Sequence, residues 1–93
     1  MAPILRELSV PSRNRDVVER FGEHEMLLFH SALGKLFEVN EVGQEIWKLC
    51  DGTRTVRQIS GELTARFATP DAVDRDVRRF LKELVRLNLV HVT

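Results

Sequence analysis

Hydrophobic positions change period midway along the chain, from an alternation suited to strands to a spacing of three and four suited to helices. Val17 to Phe21 is a run rich in β-branched residues ending at Gly22-Glu23, and His24 to Phe29 follows with Met26, Leu27, Leu28 and Phe29. The two runs read as a hairpin with Gly22 in its turn. Leu33-Gly34-Lys35 predicts a second turn and Leu36-Phe37-Glu38-Val39 a third strand. Along that strand Phe37 and Val39 point one way and Leu36 and Glu38 the other, because successive side chains face opposite sides of a sheet.

The helical period begins at Asn40, an expected N-cap, with Glu41 placed to favour the positive end of the helix dipole. Val42, Ile46, Leu49 and Cys50 form one apolar face, with Trp47 beside it and Gly52 suited to the left-handed position that stops the helix. Thr55-Val56-Arg57-Gln58 reads as a capping box for a second helix whose buried face is Val56, Ile59, Leu63 and Phe67. Gly61 inside it costs about 1 kcal/mol against Ala, which suggests close packing. Thr69-Pro70 opens a third helix, with Asp71 and Asp74 near its start, Arg86 near its end and Asn88-Leu89 as its stop. Leu89 to Val92 reads as a closing strand or an extended tail. The implied fold class is α+β: a small three-stranded antiparallel sheet plus a three-helix bundle, winged helix-turn-helix-like.

Residues 1–16 carry Pro3, Pro11 and the polar string Ser12 to Asp16, and residues 17–93 form the domain proper. The first segment reads as an arm, flexible or loosely docked through Ile4, Leu5, Leu8 and Val10; a docked strand is the competing reading. On the third helix Val73, Val77, Phe80, Leu81, Leu84, Val85 and Leu87 span an arc of roughly 160°, where a core-facing stripe needs little more than about 100°. Val77 and Leu84 lie mid-arc and belong in the core. Phe80 and Leu87 form one edge; Leu81 and Val85 form the other, flanked by Arg78 and Lys82. One edge is then free to line a groove, unless a small core uses the whole arc.

Composition narrows the function classes. The chain has 93 residues, 43% hydrophobic and 30% charged, with 14 basic and 14 acidic side chains and no net charge. Such a balance offers no bulk attraction to phosphates or anionic lipid, so neither nucleic acid nor membrane is expected as a partner. The lone Cys50 allows no internal disulfide and reads as a small core residue. His24, His30 and His91 are scattered, the first two expected exposed near strand ends, and tyrosine is absent. No catalytic residues, metal ligands or cofactor are expected, and the start of the chain lacks an apolar signal core, which points to the cytoplasm.

The run Leu36-Phe37-Glu38-Val39-Asn40-Glu41-Val42-Gly43, with Ile46-Trp47, Asp51-Gly52, Thr55-Val56, Ile59, Asp76-Val77, Phe80-Leu81, Leu84 and Leu89-Val90, resembles the PqqD family, also called the RiPP recognition element. The resemblance spans roughly residues 17–92. It implies a non-catalytic adapter that captures the leader of a ribosomally made precursor peptide and presents it to a tailoring enzyme. That enzyme is a radical SAM protein in pyrroloquinoline quinone biosynthesis and a leader peptidase in lasso-peptide systems. The leader adds as a strand on the third strand's edge and lies against the third helix. On this chain the expected contacts are Leu36, Phe37, Glu38 and Val39 for pairing and Leu81 and Val85 as an apolar wall. Arg78 and Lys82 would hold acidic leader side chains. A free edge also allows weak homodimerisation.

The rival reading is a winged-helix DNA-binding regulator. Its reading helix would start with Asp71, Asp74 and Asp76, and Arg75, Arg78, Arg79, Lys82 and Arg86 barely outnumber the acids once Glu83 is included. An acidic helix start on a neutral chain is a poor match for phosphates.

Overall fold

The computed structural model describes residues 5–93. Eight elements follow one another: β1 (Pro11–Arg13), β2 (Val17–Phe21), β3 (Met26–His30), β4 (Lys35–Val39), α1 (Glu41–Leu49), α2 (Val56–Thr64), α3 (Pro70–Arg86) and β5 (Val90–Val92). The expected antiparallel sheet is present in the order β2-β3-β4, with β3 in the centre. Its register places Val18, Phe29 and Leu36 side by side, then Glu19, Leu28 and Phe37 in the next row. Alternation turns Met26, Leu28 and Val39 into the core, where each is 3% exposed or less, and leaves Leu36 outside.

Within residues 5–16 the docked-strand form is adopted. β1 pairs antiparallel with β5 as a separate two-stranded sheet, and Ser12 bridges to Asp51. Of the contacts expected from this segment, Leu5 packs on the core and Leu8 is 73% exposed, while Ile4 lies outside the described residues. Gly52 has φ +82, as a left-handed stop would, but the cap of α1 is Cys50. Gly52 serves the docking instead: its amide donates to the Pro11 carbonyl at 3.0 Å.

Helix ends account for much of the local architecture. The Asn40 side chain accepts from the Gly43 amide at 2.9 Å, starting α1 where β4 stops. At α2 the capping box is complete: Thr55 Oγ1 accepts from the Gln58 amide and Gln58 Oε1 from the Thr55 amide. Two first-turn amides remain, and both are taken by the N-terminal segment, Val56 donating to Ser9 O (2.9 Å) and Arg57 to Glu7 O (3.0 Å). All four donors that a helix start leaves orphaned are thus satisfied. α3 ends in a Schellman arrangement, with Asn88 at φ 61, Leu89 N donating to Leu84 O and Asn88 N to Val85 O.

The core joins all three helices to the sheet, with Trp47, Ile46, Ile59, Leu63, Val77 and Leu84 each 2% exposed or less. Trp47 donates its indole N–H to Glu19 on β2 at 2.6 Å, which pins the hairpin to α1. Three expectations fail. Phe67 follows the end of α2 rather than extending its buried face, and is 41% exposed. A Cβ on Gly61 would meet nothing within 4 Å, so that glycine is not a close-packing device. His30 is buried, not exposed, because β3 is central and its last residue lies beside Asn14, whose Nδ2 is 3.4 Å from Nε2.

The caps predict an asymmetry. Thr55→Ala removes a bonded N-cap and should cost about 1 kcal/mol in urea denaturation, whereas Thr69→Ala, whose side chain makes no cap bond, should stay within about 0.5 kcal/mol.

Candidate functional site

Leu36, Phe37, Glu38 and Val39 lie together on β4, an outer strand of the sheet. β4 pairs with β3 alone, and among the described residues no strand pairs with its other edge. Residues 5–16 run along β5 and α2 and leave β4 uncovered. A row of backbone donors and acceptors facing away from β3 is available for pairing with another extended chain.

Where β4 ends, a cleft of about 340 Å³ begins, lined by Asn40, Val42, Gly43 and Ile46 from α1 and Asp76, Arg79, Phe80 and Glu83 from α3. Its floor is apolar and its rim carries charges of both signs. Gly43 makes this junction possible. A Cβ there would lie 2.5 Å from Val39 Cγ1 and 3.0 Å from Phe80 Cζ, so only glycine lets β4, α1 and α3 meet this closely.

The long apolar arc of α3 divides into stripes with different neighbours. Asp74, Arg78, Leu81 and Val85 recur at four- and three-residue steps and so share one side of the helix. That side faces α2 and the N-terminal segment: Asp74 accepts from Ser60 Oγ, and Arg78 pairs with Glu7 and, at 3.0 Å, with Asp74. Leu81 and Val85 are consequently covered, at 0% and 8% exposure, and cannot form the expected wall. Phe80 and Leu87, on the opposite edge, are only partly buried, and Phe80 lines the cleft. Lys82 lies with Arg75, Arg78 and Arg79 around a shallow depression facing solvent. Val39, at the end of β4, and the Phe80 ring thus meet at Gly43, while Leu81 and Val85 lie buried in the core.

Val42, Gly43, Ile46, Arg79 and Phe80 line the cleft and lie outside the expected contact set, although Phe80 belongs to one of the two arc edges that periodicity left open. A glycine in the first turn of a well-capped helix, followed by a wide apolar arc on another helix, was the available signal. It does not say which edge of the arc the helix turns outward.

Charges on the α2-facing side of α3 are engaged with one another. Hydrogen bonding from Ser60, then from Arg78, holds the Asp74 carboxyl below its ordinary value, and Glu7 foremost raises Arg78 further. Among the described residues no group of three or more His, Cys, Asp or Glu side chains is placed to hold a metal ion, and no helix is long and apolar enough to cross a membrane. Cys50 is fully buried, donating to Ile46 O, and burial pushes its thiol up to about 12.

Two outcomes follow. Gly43→Ala should destabilise the protein by about 1–3 kcal/mol through overpacking, and the double variant with Val39→Ala should lose less than the sum of the singles. Native Cys50 should resist a thiol-specific disulfide reagent at pH 8 and react on unfolding. The unfolded thiol ionises near 9 and the native one near 12, so the Cys50 contribution is intact below about pH 9 and is lost as pH climbs to 12. Cys50→Ala should flatten that alkaline fall in the urea midpoint.

Comparison with known proteins bears on the family and the fold. The family model described as Coenzyme PQQ synthesis protein D (PqqD) matches residues 25–90. Among solved structures the chain is similar to one described as TbiB1 in complex with the TbiA(beta) leader peptide. The identity is 27% and the TM-score 0.74, over 86% of this chain and 94% of that one. No curated protein matches the sequence.

Proposed function

The chain belongs to the PqqD family, and on that premise we propose that it is a peptide-binding adapter for the leader of a ribosomally made precursor. The leader adds as a strand to the open edge of β4, along Leu36 to Val39, and continues into the cleft over Phe80, Ile46 and Val42. Strand addition draws affinity from main-chain hydrogen bonds and specificity from alternate side chains entering pockets. The observation that carries this reading is the continuity between an unpaired strand edge and an apolar cleft. A structural neighbour solved with a leader peptide supports it.

The adapter role assigns the chemistry to a partner, a radical SAM protein or a leader peptidase, to which the bound leader is presented. In pyrroloquinoline quinone biosynthesis the first of these applies. Arg79, on the cleft rim, and Lys82, beside it on the helix, replace Arg78 as the cations available to acidic leader side chains, since Glu7 and Asp74 already hold Arg78. Self-pairing through β4 competes for the same edge, so leader binding disperses any weak homodimer formed that way.

Titrating a synthetic leader from a neighbouring precursor gene into isotope-labelled protein should shift amides of Leu36 to Val39, Gly43 and Phe80, with a dissociation constant of about 1 μM or tighter. Phe80→Ala should weaken binding at least tenfold, with a thermal melt showing the fold retained. Unmoved β4 amides at saturating leader, or shifts confined to α2 and α3 on adding duplex DNA, would overturn the proposal in favour of the DNA-binding rival.

A further inference from the structure

The face of the sheet turned away from the helices carries two ordered rows. Val18, Phe29 and Leu36 are aligned across β2, β3 and β4, at 48%, 38% and 59% exposure. The next outward row is Arg20, Leu27 and Glu38. Each row runs to the open edge of β4 and ends there, one in an exposed leucine and the other in an exposed carboxylate. Among the described residues Glu38 forms no ion pair. Arg20 lies two strands away, a span of about 9–10 Å between backbones, and Lys35, three positions earlier on β4, points to the opposite face.

We infer that the outer face of β4 selects its guest strand, Glu38 requiring a basic residue and Leu36 an apolar one two positions later. This deepens the leader-binding reading and rests on it. A strand added to β4 places its outward side chains directly opposite Leu36 and Glu38, where cross-strand neighbours are about 5 Å apart. An apolar guest opposite Leu36 extends the row begun by Val18 and Phe29 and removes exposed hydrocarbon from water. A cation opposite Glu38 meets an unpaired carboxylate, whereas an acid there faces like charge. The residue between them turns inward, extending the row of Leu28 and Phe37, and is apolar for the same reason. With the guest antiparallel to β4, as every other neighbour in this sheet is, the order from its N-terminus is basic, apolar, apolar. The outward pair thus adds to the inward anchors a code written in this chain's own surface residues.

The test is selection from a displayed library of random twelve-residue peptides on the intact protein and on its Glu38→Arg variant. Recovered sequences should be enriched in Lys or Arg followed by two apolar residues, and the variant should exchange the basic position for Asp or Glu. Synthetic versions should show a three- to tenfold preference for the matched charge, shrinking as salt screens the exposed pair. Identical charge preferences in the intact protein and the Glu38→Arg variant overturn the code while leaving strand addition standing, and the reversed residue order overturns the antiparallel register. Recovered peptides that leave the β4 amides unshifted, or no enrichment at all, overturn the underlying leader-binding reading as well.

Discussion

Backbone groups at element ends must find partners, and in this domain the stretch from Glu7 to Asn14 supplies many of them. Glu7 and Ser9 carbonyls close the start of α2; Val10 exchanges two hydrogen bonds with Thr93; Arg13 donates from its guanidinium to the Trp47 and Lys48 carbonyls at the end of α1. Asn14 finishes the route, its amide bonded to Leu89 O and its side chain to Asn88 O at 2.8 Å. A segment so committed to α1, α2 and β5 does not cover the sheet. Among the described residues, the vacancy at β4 is therefore a consequence of where Glu7 to Asn14 finds its own partners.

Close approach at Gly43 sets the second half of the site. β4 leads into α1 through the Asn40 cap, and the missing Cβ brings Val39 and the Phe80 ring against the first turn of that helix. Pairing edge and cleft are thereby built from consecutive residues of one chain segment, with α3 as the far wall. On the leader-binding reading, an extended peptide leaving β4 would pass the Asn40 cap and reach the apolar floor of the cleft. Burial there compensates for the ordering of a flexible chain, which pairing hydrogen bonds alone do poorly in water.

Electrostatics separates recognition from scaffolding along α3. The stripe facing α2 is neutralised internally by the chain Glu7, Arg78, Asp74 and Ser60, while Arg75, Arg79 and Lys82 face outward. Asp76 and Glu83 sit among the outward cations at the cleft. On the leader-binding reading, such mixed signs at the cleft would discriminate between guest side chains.

Local sequence was enough to determine most of the elements and where the three helices start. Asn40, Thr55 with Gln58, Pro70 and Asn88 act on backbone groups within a few residues, so their roles are written in immediate neighbours. The alternation of β4 was legible for the same reason, and with it the outward placement of Leu36 and Glu38. Legibility stopped where the answer depended on residues distant in the chain. Which edge of the α3 arc opens depends on α2 and Glu7 covering Leu81 and Val85. Whether residues before Val17 dock depends on a strand nearly eighty positions later, and the burial of His30 depends on Asn14. Side-chain period states that a surface is apolar; only the packing of remote segments decides which part of it stays uncovered, because burial is settled by whatever else must be removed from water.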